Sequence, residues 1–282
     1  MQIFNKIEPL RAYLRHHRDN HFSIGLVPTM GALHNGHLSL IKASRQVNRI
    51  TVCSIYVNPV QFNNPADLEK YPRTLEADTK MLEEAGCDAV FCPSNQEMYD
   101  QPSTLKFDFG SLDKILEGEF RPGHFSGVAL VVAKLFNIVQ PDKAYFGQKD
   151  FQQFKVISRM VEELKFDIEL IGAPIIREAD GLAMSSRNVR LSKEERSRAV
   201  ILNQCLRKAC KGLRDGDSFS SVKKMVTEEC NNNKIRLEYL AIADKHNFTL
   251  LEDVKNPDKV VILIAAFVGE VRLIDNMLLA DH

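Results

Sequence analysis

Two histidines near the start of the chain have the spacing of an anion-binding turn. An apolar run at residues 24–27 leads into a glycine-containing turn, and His34 and His37 come just before an amphipathic stretch that opens at Leu38. A strand, turn and helix start of this kind directs main-chain N–H groups and a positive helix end toward an anion. Histidine can donate to phosphate oxygens, and Gly36 removes a side chain where the backbone would meet a ligand. The pattern predicts a nucleotide triphosphate site; two surface histidines at a helix start are the alternative.

A second short motif, Gly147-Gln148-Lys149-Asp150, also follows a strand-like segment. A lysine just past a strand can neutralise the charge of a transferring phosphate, and the aspartate can accept a hydrogen bond from a ribose hydroxyl. Alone, this motif is more typical of a solvated turn than of a phosphate site. Because it repeats the strand–turn–helix context of the histidine motif, it favours the same nucleotide site.

A third candidate is the polar loop Met184-Ser185-Ser186-Arg187. Two hydroxyls and a guanidinium in succession can clamp a phosphate. Such loops are common on protein surfaces, so this prediction depends on the two earlier motifs.

Polar side chains with the chemistry of a small-acid site follow other segments. Asn58 and Gln61 lie in a loop after the second strand, and Gln153 lies in the first turn of a helix. Amides can bind hydroxyls and a carboxylate without a change of charge, although exposed surface amides are the alternative. Arg121 is a candidate to bind a substrate carboxylate, and Glu117 is a candidate to bind a substrate amine. The alternative is an ordinary surface turn without a binding role.

A group of four carboxylates lies between residues 67 and 78. We expect Asp67, Glu69, Glu76 and Asp78 to form a solvated helix face rather than a metal site. A magnesium ion carried by a nucleotide needs few protein ligands, so no residue is predicted to bind metal directly.

Composition excludes some function classes. In 282 residues, Lys plus Arg equals Asp plus Glu at 37 each, so no overall basic field favours nucleic acid or an anionic membrane. The longest apolar run, residues 260–268, is much shorter than the roughly 20 residues of a membrane helix. The six cysteines form no CxxC pair, which indicates free thiols in a reducing compartment. We therefore predict a cytoplasmic protein.

The alternation of elements predicts an α/β fold with two domains. Strand-like segments at residues 23–27, 50–57, 89–92, 143–146 and 168–171 alternate with helical segments at 37–47, 75–85, 127–139 and 151–164, which favours a parallel sheet of the Rossmann type. A hinge is predicted at residues 172–174. After it, a capping box at Ser192 opens a long predicted helix to about Leu213, a second helix covers 220–230, and strands cover 237–243 and 260–267. The predicted domains are residues 1–174 and an α+β unit at 175–282.

Six segments together resemble the pantothenate synthetase (pantoate–β-alanine ligase) family. They are residues 28–37, 56–62, 71–73, 121–125, 146–153 and 184–188, and the resemblance extends over essentially the whole chain. It implies a nucleotidyltransferase-type Rossmann domain, a smaller C-terminal lid domain and a homodimer. It also implies synthesis of pantothenate from pantoate, β-alanine and ATP, with Mg²⁺ and a pantoyl-adenylate intermediate.

The same resemblance assigns roles to individual residues. His37, His34 and Lys149 would stabilise the charge on the phosphates, and Gln61, Gln153 and Asn58 would hold pantoate. β-Alanine is predicted to contact Gln61, Glu117 and Arg121, the last two because of the residue chemistry described above. The implied ATP contacts are Met30, Gly31, Ala32, Leu33, His34, Asn35, Gly36, His37, Gly147, Gln148, Lys149, Asp150, Ile176, Met184, Ser185, Ser186 and Arg187.

One residue departs from the family pattern, and three other functions stay open. Gln148 stands where the family usually has glutamate, which puts any role of that carboxylate in doubt. The alternatives are a nucleotidyltransferase that leaves the adenylyl group on a phosphorylated substrate, an aminoacyl-tRNA synthetase, and a catalytically silent nucleotide-binding module. The amides at Asn58, Gln61 and Gln153 argue against a phosphorylated substrate, because a phosphate favours cations.

Overall fold

The structure is a computed structural model that describes residues 1–281. The chain divides into two compact units. The first contains Met1–Gln148 and Gln152–Pro174; the second contains Lys149–Phe151 and the chain from Ile175 onward. Lys149–Phe151 is therefore grouped with the C-terminal unit, although it interrupts the sequence of the first.

The first unit is built on a six-stranded parallel sheet with the strand order β1-β4-β3-β2-β5-β6. Its strands are β1 (Gln2–Phe4), β2 (Ile24–Thr29), β3 (Ile50–Ile55), β4 (Ala89–Phe91), β5 (Lys143–Gly147) and β6 (Glu169–Ala173). Its helices are α1 (Ile7–Asp19), α2 (Asn35–Val47), α3 (Pro65–Glu69), α4 (Leu75–Glu84), α5 (Asn95–Met98), α6 (Glu117–Phe120), α7 (His124–Val139) and, for all but its first residue, α8 (Phe151–Leu164).

Apolar residues on both faces of the sheet are buried by helices. Leu26 and Val52 belong to one core cluster, whereas their neighbours Val27 and Cys53 belong to another. Successive residues of a strand point to opposite faces, so these short continuous apolar runs are what a parallel sheet covered on both faces requires. This confirms the predicted α/β fold.

The strand order reverses between β2 and β5. The chain builds outward from β2 to β3 and β4, then returns to place β5 on the other side of β2. In open α/β sheets, ligands bind at the carboxyl ends of the strands at such a reversal. The histidine turn begins directly after β2, at this reversal.

The second unit packs helices against a four-stranded antiparallel sheet with the order β10-β9-β7-β8. Its helices are α9 (Lys193–Ala199), α10 (Ile201–Asp215) and α11 (Phe219–Asn232), and its strands are β7 (Ile235–Asp244), β8 (Leu250–Leu251), β9 (Val260–Val268) and β10 (Val271–Leu278). Leu206, Val226 and Ile262 share one core cluster, which joins the helices to the sheet.

Two local predictions for this unit were wrong or incomplete. The single helix expected from Ser192 is divided at Val200, which keeps right-handed helical angles (φ −60°, ψ −27°). The division is thus a local irregularity in one helical run, and the predicted capping box of Ser192 with Glu195 is present. Strand β10 was not predicted, because the charged and amide pair Asp275 and Asn276 interrupts its apolar pattern.

Within residues 1–281, no helix is long and apolar enough to cross a membrane. All six cysteines are unpaired, and every one except Cys92 is buried. Burial raises the pKa of Cys210 to about 11 and that of Cys87 to about 12, so these thiols stay protonated at neutral pH.

Candidate active site

His34 and His37 form a reciprocal cap at the start of α2. The Nδ1 atom of His34 accepts from the main-chain N–H of Gly36 (3.1 Å), and Nδ1 of His37 accepts from the N–H of His34 (3.4 Å). The ring centroids are 4.1 Å apart, with 37° between the planes. The cap holds both side chains in fixed orientations at the carboxyl end of β2.

This cap determines which nitrogen of each ring carries a proton. An Nδ1 atom that accepts a hydrogen bond cannot carry hydrogen, so the neutral form of His34 and of His37 has its proton on Nε2. Each ring is then an Nε2–H donor. Both histidines can therefore donate to phosphate oxygens without first taking up a proton.

The turn between β2 and α2 is held by a buried carboxylate on α4. Asp78 is only 2% exposed and accepts from the N–H groups of Ala32 (2.9 Å) and Leu33 (2.8 Å) and from the hydroxyl of Thr74 (3.1 Å). Gly31 and Ala32 have positive φ angles of 80° and 49°, respectively. A left-handed turn of this kind is costly for alanine, and the carboxylate stabilises it.

Asp78 corrects the expectation of a solvated acidic face, because its carboxylate is buried whereas Glu76 is exposed. It also changes how the turn would bind an anion. The N–H groups of Ala32 and Leu33 donate to Asp78, and that of Gly36 donates to His34. These three amides are thus engaged within the protein, so a phosphate at this turn would have to be bound mainly by the histidine Nε2–H groups.

The predicted amide site lies beside this turn, within the same unit. Gln61 is 6% exposed, and its Nε2 atom donates to the sulfur of Met30 over 3.1 Å. Its Oε1 atom accepts from Nδ2 of Asn58 over 3.1 Å. Met30 immediately follows β2, so Gln61 is brought next to the first residue of the turn between β2 and α2.

Asn58 orients Gln61 and uses its own polar atoms within the protein. Its Nδ2 atom also donates to the carbonyl of Gly127 (3.1 Å), and its Oδ1 atom accepts from the N–H of Val60 (3.3 Å) and the hydroxyl of Tyr99 (3.1 Å). Burial raises the pKa of Tyr99 to about 12, which keeps its hydroxyl protonated as a donor. With a side chain only 1% exposed, Asn58 is a support for Gln61 in this structure.

Gly127 on α7 allows the Gln61 segment to lie against the helix. A Cβ atom there would come 2.6 Å from the carbonyl oxygen of Val60 and 2.7 Å from Cα of Gln61. These are main-chain atoms that cannot move aside without shifting the segment. The supporting roles of Gly127, Asp78 and Tyr99 were not predicted from the sequence, because their partners are distant along the chain.

The predicted β-alanine residues meet at the junction of α6 and α7. Glu117 is buried, and its Oε2 atom lies 3.9 Å from Nη1 of Arg121. The same Nη1 atom lies 3.0 Å from Nε2 of His124, whose Nδ1 lies 2.9 Å from the main-chain oxygen of Gln61. Thus the predicted pantoate and β-alanine residues are linked through His124.

Two adjacent glutamines of α8 have different environments. Gln152 is 3% exposed and donates to the carbonyls of Leu112 and Ile115, both over 2.8 Å, while it accepts from the N–H of Glu117 (3.1 Å). It therefore fixes the segment before α6. Gln153, the predicted pantoate residue, is partly exposed.

In the second unit, the main chain of Lys149 is hydrogen-bonded to a side chain of β10. Asn276 donates to the main-chain carbonyl of Lys149 over 2.9 Å, and the ring of Phe151 stacks on that of Phe248 with centroids 6.2 Å apart. The neighbouring Asp275 pairs with Arg177 through two bonds of 2.7 and 3.0 Å. Burial raises the pKa of Asp275, and the Arg177 guanidinium opposes that shift.

The loop that contains Ser185 also belongs to the second unit and is ordered by its own hydrogen bonds. The N–H of Met184 donates to the carbonyl of Ile176 (3.0 Å), which pairs these two predicted ATP contacts. Ser185 caps a short 3₁₀ helix, Ser186–Arg190, by accepting from the N–H of Arg187 (3.3 Å). The residues predicted to clamp phosphate thus share one small hairpin and the turn that follows it.

Comparison of the sequence with models of protein families shows which family the chain belongs to. The family model described as pantoate-beta-alanine ligase matches residues 2–278. The chain belongs to the pantoate–β-alanine ligase family. This confirms the resemblance found in the sequence.

Relatives with established names agree with this membership in the ligase family. The chain is 48% identical to the pantothenate synthetase of Bacteroides thetaiotaomicron over 98% of both chains. It is 49% identical to that of Porphyromonas gingivalis over 100% of both chains.

Solved structures of the family have the same fold. The pantothenate synthetase of Thermus thermophilus superimposes with a TM-score of 0.92 at 41% identity, over 99% of each chain. A pantoate-beta-alanine ligase from Francisella tularensis, complexed with beta-gamma ATP and beta-alanine, gives a TM-score of 0.83 at 34% identity over 99% of this chain and 98% of that one.

Proposed function

We propose that this enzyme condenses pantoate with β-alanine and converts ATP to AMP and pyrophosphate. The contact between Gln61 and Met30 carries the proposal from the geometry. The side-chain amide of Gln61, which is predicted to hold the acid, lies 3.1 Å from the sulfur of Met30. Met30 is the first residue of the turn between β2 and α2 that is predicted to bind ATP, here called the nucleotide turn. A reaction between the carboxylate of the acid and the α-phosphate of ATP needs these two groups side by side.

The reaction would proceed in two steps. The pantoate carboxylate attacks the α-phosphorus of ATP, the bond to the β-phosphate oxygen breaks, and pyrophosphate leaves pantoyl-adenylate behind. The amine of β-alanine then attacks the acyl carbon, the bond to the AMP oxygen breaks, and the amine proton is released. A carboxylate is a poor acyl donor, and adenylation supplies the leaving group.

The chain's own residues would position the reactants and neutralise charge. We propose that the Nε2–H groups of His34 and His37 donate to phosphate oxygens, and that the Lys149 ammonium balances the charge of the leaving pyrophosphate. The hairpin residues Ile176 and Met184, with Ser185, Ser186 and Arg187, remain predicted ATP contacts. Gln61 and Gln153 would hold pantoate, with Asn58 orienting Gln61.

We propose that Mg²⁺ accompanies ATP. Magnesium prefers oxygen ligands and usually keeps several waters while it binds substrate phosphates. Bound in that way, it would withdraw charge from the phosphate oxygens.

Three further proposals concern the setting of the reaction. We propose that residues 175–282 act as a lid, that the chain forms a homodimer of twice 32.0 kDa, and that it works in the cytoplasm. The unpaired thiols support the last proposal, because a reducing compartment preserves them. Light scattering of the purified protein tests the dimer.

Pantoate-dependent exchange of labelled pyrophosphate into ATP, without β-alanine, tests the proposed function. Exchange that requires pantoate, followed by AMP and pantothenate when β-alanine is added, is the expected result. An adenylyl group retained on a phosphorylated acceptor would instead indicate a simple nucleotidyltransferase. Binding of ATP without exchange, both with and without β-alanine, would leave a silent nucleotide-binding module.

A further inference from the structure

The hydrogen bonds of His124 define its protonation. Its Nδ1 atom faces the main-chain oxygen of Gln61 at 2.9 Å, and a carbonyl oxygen only accepts. Its Nε2 atom faces Nη1 of Arg121 at 3.0 Å, and a guanidinium only donates. The ring must therefore be neutral, with its proton on Nδ1.

This tautomer is opposite to that of His34 and His37. Those rings accept at Nδ1 and present Nε2–H, whereas His124 donates at Nδ1 and accepts at Nε2. His124 is also 5% exposed, at the first position of α7. Both of these hydrogen bonds are made inside the protein, so His124 is suited to position other groups.

The two hydrogen-bond partners of His124, Gln61 and Arg121, belong to predicted binding sites for different substrates. Gln61 presents its side chain to the Met30 end of the nucleotide turn, where pantoate would lie. Arg121 lies beside Glu117, in the pair predicted to bind β-alanine. One imidazole therefore sets the position of the arginine relative to the glutamine main chain.

We propose that His124 is a positioning residue for the second half-reaction. It holds the Arg121 guanidinium where that group can bind the carboxylate of β-alanine, so that the amine faces the acyl carbon held at Gln61. This inference rests on the proposed function. It adds to it a residue that is needed more for amine capture than for adenylation.

Two conservative variants separate the two hydrogen bonds. His124→Asn places an amide donor near the position of Nδ1 and removes the acceptor of Arg121. His124→Gln can place an amide oxygen near the position of Nε2 and so keeps that acceptor. We expect His124→Asn to raise the KM for β-alanine on the order of tenfold or more, as the loss of a hydrogen bond to a charged group does. Pyrophosphate exchange should fall by a smaller factor, and the KM for β-alanine in His124→Gln should lie between those of wild type and His124→Asn.

The double variant tests whether His124 acts through Arg121. If it does, His124→Asn combined with Arg121→Ala should bind β-alanine no more weakly than Arg121→Ala alone. Glu119→Gln, an exposed substitution on α6, is the matched control. Additive effects, equal losses in both half-reactions, or a KM for β-alanine that does not change would overturn the inference.

The wild-type enzyme distinguishes this failure from a failure of the proposed function. Absence of pantoate-dependent exchange in wild type refutes the proposed function and the inference with it. Normal wild-type exchange with any of the three contrary results refutes the inference alone. If His124→Asn does not fold, His124→Gln still tests the inference, because it keeps an acceptor for Arg121. A KM for β-alanine in His124→Gln as high as that of Arg121→Ala would contradict the role of Nε2.

Discussion

The side-chain amide of Asn276 donates to the main-chain carbonyl of Lys149 over 2.9 Å. These residues are 127 positions apart in the sequence, yet both belong to the second unit. Asn276 is 4% exposed, and its own N–H donates to Asp275, which is bound by Arg177. The lysine predicted to neutralise phosphate is thus fixed by strand β10 of the C-terminal unit.

We expect Asn276→Ala to lower pyrophosphate exchange on the order of tenfold, because a misplaced catalytic group loses much of its effect. Lys149→Ala should lose about 10²–10³ in rate. The double variant should be no slower than Lys149→Ala if Asn276 acts through the lysine. Asn231→Ala, an exposed change on α11, is the control, and a loss there equal to that of Asn276→Ala would refute the specific role.

The sequence predicted much of the first unit, because local patterns determine it. The apolar runs of β2, β3 and β5 and the histidine spacing were visible without a structure. The role of Asp78 was not, because an acidic residue on a short helix resembles a solvated face until its partners, 45 and 46 residues earlier, are known. Asn276 was also missed, because a buried strand is predicted from apolar residues and this position of β10 has a polar side chain.

The tautomer of the histidine pair gives a prediction for adenylation. His37→Ala removes one Nε2–H donor and should lower pyrophosphate exchange about 10²–10³-fold, as the loss of a charge-stabilising donor does. His37→Gln keeps an N–H group near that position and should recover part of the rate. His16→Ala, on the exposed side of α1, should have no effect. If His37→Gln and His37→Ala are equally slow, a simple donor role for Nε2 is wrong.

Asp78→Asn tests the support of the turn. An amide oxygen can accept from only one of the N–H groups of Ala32 and Leu33, and its NH₂ group would face the other. We expect a loss of about 1–3 kcal/mol in the free energy of unfolding and a raised KM for ATP. Glu76→Gln, exposed on the same helix, should change neither. Thermal unfolding and exchange kinetics measure the two effects. An unchanged KM for ATP would show that the hydrogen bonds of Asp78 to the turn do not support ATP binding.

Gly127→Ala tests whether close packing of α7 sets the position of Gln61. The added Cβ would lie 2.6 Å from the oxygen of Val60 and 2.8 Å from the nitrogen of Gln61, so the main chain of that segment must shift. The shift would also displace the Asn58 bond to the Gly127 carbonyl. A displacement near 1 Å at a substrate-positioning group costs up to about 100-fold in rate. We therefore expect kcat/KM for pantoate to fall by a much larger factor than kcat/KM for ATP. Asn137→Ala, exposed on the same helix, controls for helix stability. Equal losses in pantoate and ATP parameters would indicate general destabilisation of the first unit instead of displacement of Gln61.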